Sequence, residues 1–158
     1  MGYLTNGLSF RTLRQANEQR MPHFKNKKGL PAHTEADGSD WSPAQWLQAI
    51  VGELGEYANL RKKFERGDFD KAEFDKEARK ELADVVCYLD ILAKQLNIDL
   101  GAAVIEKFNE VSLRVGSPVY IGDDDSCHLR SAKEDKPAVS LEYAIKRMNE
   151  QKEKLGKI

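Results

Sequence analysis

Two pairs of acidic residues, each three positions apart, are the first candidates for chemistry in this sequence. Glu53 and Glu56 form one pair, in Glu53-Leu-Gly-Glu56, and Glu81 and Asp84 form the other, in Glu81-Leu-Ala-Asp84. Residues three apart lie on the same face of a helix, so each pair can direct two carboxylates towards one point. Because 32% of the chain is charged, a single pair of this kind is most often part of a solvated helix face. Apolar neighbours on the same face would instead indicate that the carboxylates point towards the core.

The helical projection places these carboxylates beside apolar side chains. At about 100° per residue, Glu53 falls inside the apolar arc of its helix and Glu56 at the edge of that arc. Glu81 and Asp84 flank Tyr88 on the shoulder of the next apolar stripe. Carboxylates in a partly dry helical bundle repel one another and lose hydration, at a cost of several kcal/mol per ion unless a cation binds. Oxygen ligands favour Mg²⁺, with Mn²⁺ as a substitute, and the three histidines lack the spacing of zinc ligands.

Basic residues follow both acidic pairs and could bind phosphate groups. Arg61-Lys62-Lys63 comes after the first pair, and Lys107, Asn109 and Arg114 lie in a K-x-N-x-x-x-x-R pattern on a later predicted helix. A magnesium ion in a protein commonly meets its substrate through phosphate oxygens, and positive donors stabilise the charge on a leaving pyrophosphate. The run Arg61-Lys62-Lys63 is equally consistent with a solubilising helix end.

Start and stop signals predict the helices that would position these residues. Ser42, Pro43 and Gln45 mark the start of the clearest helix, as an S-x-x-Q capping box with proline in the first turn, and Gly67 marks its end. Other predicted helices run from Ser9 to about Met21, from about Ala72 to Leu96 and from Asp99 to about Val115, and Ser140 could cap a last amphipathic helix. The stretch from Pro22 to Asp40 is either a substrate loop or a mobile connector. The sequence therefore predicts an all-α fold, with a short extended segment at PVYI.

Composition and charge narrow the class of protein. The 158 residues correspond to about one domain, and 25 basic against 26 acidic side chains disfavour nucleic acid as a partner. No stretch approaches the ~20 apolar residues that a membrane helix requires. The two cysteines form neither a metal-binding nor a disulfide pattern, so we expect a cytoplasmic protein without a membrane partner. The wide apolar arcs of the helices predict a homodimer or a homotetramer.

Three motifs stand in a recognisable order along the chain: DWSPAQWLQAIVGELGEYANLRKK, then KELADVVCYLDILAKQLNIDL, then EKFNEVSLRVG. With their E-x-x-E…E-x-x-D arrangement, the sequence resembles the MazG-like branch of the all-α nucleoside triphosphate pyrophosphohydrolases, especially its small stand-alone members in phages and bacteria. The similarity covers about residues 41–121. We therefore take residues 1–121 as a MazG-like domain and residues 122–158 as a polar connector with a C-terminal amphipathic helix.

The resemblance implies a helical bundle completed by oligomerisation, with Mg²⁺ held by Glu53, Glu56, Glu81 and Asp84. Such enzymes cleave (d)NTP to (d)NMP and pyrophosphate, with water attacking the α-phosphorus. Glu53 and Glu56 would then also be catalytic, together with Lys107. Substrate contacts would come from Trp46, the segment 10–28, Arg61, Lys62, Lys63, Asn109 and Arg114. A phage-encoded enzyme of this kind would act in the host cytoplasm.

Gly52 departs from the family pattern, because many relatives carry a doubled glutamate at the start of the first motif. The residue often proposed as the water-activating base would then be absent. Glu53 could serve as ligand and base together, or Glu56 could take the role of the base.

Two other functions remain open at the level of the sequence. The same chemistry could act on another nucleotide, such as phosphoribosyl-ATP or a guanosine alarmone. Alternatively, the chain is a helical interaction protein whose acids bind a structural cation or pair with Arg61, Lys80 and Arg114. The second possibility predicts that Glu53→Gln leaves biological activity intact.

Overall fold

Helix starts and stops in the sequence determine a mostly helical fold. The computed structural model describes residues 7–122 and 127–129, and its elements are α1 (Phe10–Arg20), α2 (Pro43–Glu65), α3 (Lys71–Gln95), α4 (Leu100–Arg114), β1 (Val119–Ile121) and β2 (Cys127–Leu129). A short 3-10 helix, Met21–His23, follows α1. The four helices predicted before residue 116 are confirmed close to their expected bounds, whereas the helix predicted after Ser140 lies outside the described residues.

Local capping fixes where α1 and α2 begin. The Ser9 hydroxyl accepts a hydrogen bond from the backbone N–H of Thr12 (3.1 Å), and the side-chain oxygen of Gln45 accepts one from the backbone N–H of Ser42 (2.7 Å). Each bond satisfies a backbone donor that a helix start leaves without an intrahelical partner. Beyond the end of α2, Gly67 adopts a φ of 84°, which glycine reaches without steric cost, so the helix stops where the sequence predicts.

The chain forms two compact units, Met1–Gly101 and Ala102–Ile158, and each is described by itself. In the first unit, α2 and α3 form an antiparallel hairpin. The rings of Phe64 and Phe74 stack beside the connector with centroids 4.7 Å apart, and Trp46 meets Tyr88 towards the other end, at 5.8 Å. The middle of α2 therefore faces the middle of α3, and both predicted acidic pairs lie there.

The second unit contains most of α4 and the two short strands. β1 pairs antiparallel with β2, and Tyr120 lies opposite His128, with their rings stacked at 5.2 Å. The extended segment predicted at PVYI is confirmed as β1.

The hairpin of the first unit has a small core and leaves large apolar side chains exposed. The buried apolar residues of the described chain are Trp46, Ile50, Ala78, Ile91 and Ala93. Six large apolar side chains of α2 and α3 are 40% to 58% exposed: Leu47, Val51, Leu54, Leu82, Val86 and Leu89. Among the described helices, none combines the length and the apolar character that crossing a membrane requires.

Candidate functional site

Three carboxylates of the α2–α3 hairpin meet at one place. Glu53 projects from the middle of α2, and Glu81 and Asp84 project from one face of α3. One carboxylate oxygen of each residue lies within 4.8 Å of those of the other two. We call these three residues the acidic triad. None of them is fully buried, so solvent or a ligand can reach the group.

The charges of the acidic triad oppose one another. Burial raises the pKa of the Glu53 carboxyl above its usual value, and a hydrogen-bonding contact with Glu81 and the charges of Asp84 and Glu56 raise it further. Within residues 7–122 and 127–129, the ion pairs of Lys and Arg are made with acids other than Glu53, Glu81 and Asp84. Carboxylate oxygens are the ligands that hard divalent cations prefer, and a bound cation would offset the repulsion. The acidic triad could therefore hold a metal ion.

The fourth predicted ligand, Glu56, is exposed and does not belong to the acidic triad. Its charge still acts on Glu53 from one helical turn away. The structure thus brings together three of the four predicted metal ligands, and it leaves Glu56 at the solvent edge of the hairpin.

The predicted phosphate contacts of α2 lie near the end of that helix, away from the acidic triad. At 1.5 Å per residue, Arg61 lies about 12 Å along the helix axis from Glu53. Its Nε donates to Glu65 Oε1 at 2.7 Å on the exposed surface. Lys62 is exposed, and Lys63 Nζ lies 5.9 Å from the ring centroid of Phe69.

The predicted catalytic and phosphate-binding residues of α4 lie in the second unit. Lys107 Nζ donates to both carboxylate oxygens of Glu110, at 2.7 and 2.8 Å, and this hydrogen bond lowers the pKa of Glu110. Asn109 is buried and exchanges two hydrogen bonds with the backbone of Ile121, at 2.8 and 2.9 Å. Arg114 ends the helix. The amide of Asn109 therefore fastens β1 to α4, a structural use that the sequence pattern did not indicate.

An aromatic cluster covers the first half of α2. Trp46 is only 3% exposed and stacks on His33 of the preceding loop, with ring centroids 4.9 Å apart. Trp41 contacts both rings edge-on, at 5.0 and 5.1 Å, and Phe24 contacts His33 at 5.4 Å. Trp46, predicted as a substrate contact, is thus enclosed by neighbouring rings. A nucleotide base could reach its face only if the loop carrying His33 moved.

Tyr88 connects the aromatic cluster to the acidic triad. Its ring lies 5.8 Å from that of Trp46, and it follows Asp84 by one turn of α3. Burial raises the pKa of the Tyr88 hydroxyl, and the negative charges of Glu53 and Asp84 raise it further. Burial also lowers the pKa of His33, whose Nδ1 is shielded from solvent and has no hydrogen-bond partner within the described chain. The His33 ring of the loop at residues 22–40 thus belongs to a series of ring contacts that ends at Tyr88, one turn of α3 beyond Asp84.

A buried carboxylate on α3 holds α1 in place. Asp90 is 1% exposed, and its Oδ1 accepts from Arg14 Nε at 2.9 Å while its Oδ2 accepts from Asn17 Nδ2 at 3.0 Å. Arg14 also donates to the backbone oxygens of Asp90 and Ile98, at 3.2 and 3.4 Å. Sequence reasoning missed this group. Its one signal was a charged residue between Leu89 and Ile91, in an otherwise apolar stretch.

Comparison of the chain with protein-family models, with curated proteins and with solved structures found no significant match.

Proposed function

We propose that this chain is a Mg²⁺-dependent nucleoside triphosphate pyrophosphohydrolase that converts (d)NTP to (d)NMP and pyrophosphate. The observation that carries the proposal is the convergence of Glu53, Glu81 and Asp84 without a neutralising Lys or Arg in the described chain. Mn²⁺ would substitute for Mg²⁺ at an all-oxygen site. The resemblance of three ordered motifs to the MazG-like enzymes supports the same reaction.

All three residues of the acidic triad would hold the cation, and Glu53 would also accept a proton. Glu81 and Asp84 share one face of α3 and would hold the cation together with Glu53. Glu53 lies within the acidic triad and Glu56 is exposed outside it, so Glu53 is the better placed of the two to accept a proton from water beside the cation. When bound, Mg²⁺ would supply positive charge at the phosphate oxygens on which charge develops.

The ion pairs also bear on the non-enzymatic alternative. Arg61 pairs with Glu65, and Lys80 pairs with Glu77 at 2.5 Å. Two of the three cations that could have neutralised the predicted ligands therefore have other partners. A purely structural set of salt bridges is the less favoured account of these acids.

A nucleotide panel tests the proposed reaction. We expect the purified full chain with Mg²⁺ to release pyrophosphate and a monophosphate from at least one canonical or modified (d)NTP. Phosphoribosyl-ATP and a guanosine alarmone belong in the same panel, because sequence and fold do not specify the base. Release of pyrophosphate should stop when EDTA is added and resume when Mg²⁺ or Mn²⁺ is added in excess. Folded protein that releases no pyrophosphate from any member would refute the proposal.

We also propose that the chain is a homodimer or homotetramer whose contact includes the exposed apolar side chains of α2 and α3. Large apolar groups on neighbouring helical turns are usually covered in a stable protein. Val51 is 58% exposed and Val86 is 43% exposed, and both offer apolar surface to a second copy of the chain. This arrangement would complete the helical bundle that the family resemblance implies.

Sedimentation at micromolar concentration tests the assembly. The unmodified chain should sediment as a dimer or tetramer, and Val51→Glu should shift it towards the monomer, because a charge would be buried without a partner. Ala72→Glu is the matched control, since it adds the same charge at the exposed beginning of α3. A chain that sediments only as a monomer would contradict this proposal.

A further inference from the structure

Helix α1 carries three polar side chains on the face that meets α3. Arg14, Asn17 and Arg20 recur every three residues, which places them along one side of the helix. Arg14 and Asn17 bind Asp90 of α3 directly. Arg20 instead donates from Nη2 to Oδ1 of Asn17, at 3.0 Å. The two arginines therefore occupy different electrostatic surroundings.

The carboxylate of Asp90 determines which way the Asn17 amide points. An ionised carboxylate only accepts hydrogen bonds, so the NH₂ group of Asn17 must face it. The same NH₂ group donates to the backbone oxygen of Cys87 at 3.3 Å. Asn17 is 3% exposed, so water does not compete for these contacts. The amide oxygen is thereby left to face Arg20, and the orientation of the Arg20 guanidinium follows from a buried acid that it does not touch.

Among residues 7–122 and 127–129, the charge of Arg20 has no acidic partner. Arg14 is neutralised by Asp90, whereas the recorded contacts of Arg20 in the described chain are the neutral Asn17 oxygen and the ring of Phe24, 5.5 Å from its Cζ. Arg20 is exposed to solvent. A guanidinium with a fixed orientation, exposed donors and no carboxylate partner is well prepared to bind an anion.

Arg20 lies near the turn of α3 that follows Asp84 of the acidic triad. Its partner Asn17 contacts the backbone of Cys87, one turn of α3 beyond Asp84. Tyr88, the next residue of α3, interacts electrostatically both with Arg20 and with Glu53 and Asp84 of the acidic triad.

We propose that Arg20 binds the phosphate chain of the nucleotide next to the acidic triad, and that Asn17 and Asp90 are positioning residues that orient its guanidinium. This inference rests on the proposed pyrophosphohydrolase function. It names α1 as the source of a phosphate contact, in place of the basic run Arg61-Lys62-Lys63 near the end of α2.

Steady-state kinetics on Arg20→Gln tests the contact. A charge-assisted hydrogen bond to phosphate is lost, so we expect KM for the nucleotide to rise roughly ten- to a hundredfold while kcat changes less. Arg20→Lys keeps the charge without the planar fork and should recover part of the affinity. Arg66→Gln is the matched control, because it removes the same charge from an exposed position beyond the end of α2, outside the segments expected to contact the substrate. A KM for Arg20→Gln equal to that of Arg66→Gln would overturn the inference.

Asn17→Ala separates positioning from simple structural support. If Asn17 acts through Arg20, the single variant should raise KM, and the double variant with Arg20→Gln should raise it no further than Arg20→Gln alone. If Asn17→Ala raises KM by the same factor in the Arg20→Gln background as in the unmodified chain, Asn17 does not act through Arg20.

Binding of inorganic tripolyphosphate with Mg²⁺, measured by calorimetry, is independent of turnover. Weaker binding by Arg20→Gln than by Arg66→Gln would support the phosphate site even if no nucleotide in the panel is hydrolysed. In that case only the proposed reaction would fail. Turnover by the unmodified chain together with unchanged kinetics and tripolyphosphate binding in Arg20→Gln would instead reject the Arg20 site alone.

Discussion

Glu53→Gln is expected to abolish pyrophosphate release while the folded structure is retained. Glu53 is the one member of the acidic triad on α2, so its loss leaves only the α3 carboxylates to hold a cation. Removal of several kcal/mol of transition-state stabilisation corresponds to a loss of about a hundred- to a thousandfold in kcat/KM. Pyrophosphate release by the variant and by the unmodified chain at saturating Mg²⁺ provides the measurement.

The thermal response to Mg²⁺ distinguishes a lost ligand from a damaged fold. Without Mg²⁺, Glu53→Gln should melt at the same temperature as the unmodified chain or slightly higher, because one repelling charge is gone. The unmodified chain should gain stability on addition of Mg²⁺, and the variant should gain much less. Glu65→Gln makes the same chemical change at an exposed position of α2 and should keep both activity and the response. Full turnover by Glu53→Gln would show that the acidic triad is not the reaction centre.

Arg14→Ala should give the largest loss of stability of any single substitution considered for α1. The variant leaves the Asp90 carboxylate, 1% exposed, without its cationic partner. Breaking a buried ion pair from one side costs about 3 to 5 kcal/mol, and because Arg14 is 24% exposed we expect the lower end, roughly 3 kcal/mol. The melting temperature should fall by roughly 10 °C. Urea unfolding at one fixed protein concentration measures the change.

Arg11→Ala is the control for Arg14→Ala. Arg11 is exposed on the same helix, so its removal should change the unfolding free energy by less than about 0.5 kcal/mol. Equal stabilities of the two variants would mean that the Arg14–Asp90 pair does not hold α1 on α3. Such a result would also remove the support from the proposed role of Asn17, because that role requires a fixed Asp90.

The helices could be predicted from the sequence because their signals are local. Ser42 and Pro43 start α2, and Gly67, in a left-handed conformation, follows its end. Helical periodicity also predicted that Glu53 would turn inwards. With α3 antiparallel to α2, inward acids near the middle of each helix have to meet. Geometry within and between two adjacent helices was therefore sufficient for three members of the predicted metal site.

The remaining parts of the site depend on contacts between distant positions. The partner of Asp90 is 76 positions away, and nothing near Arg14 in the sequence marks it as a buried cation. Asn109 looked like a phosphate ligand, yet its amide is occupied by the backbone of Ile121. His33 lies in a stretch without periodicity, so its stacking on Trp46 could not be read from spacing.

The acidic triad lies entirely on one helical hairpin, whereas the Arg14–Asp90 pair joins distant segments. Contacts between neighbouring helices close a short loop and lose little chain entropy, so they favour rapid formation during folding. We therefore expect the hairpin to bring three like charges together before α1 adds the Arg14–Asp90 pair. When the chain folds without divalent cations, repulsion within the acidic triad should therefore oppose the pairing of α2 with α3, the step of the first unit that loses little chain entropy.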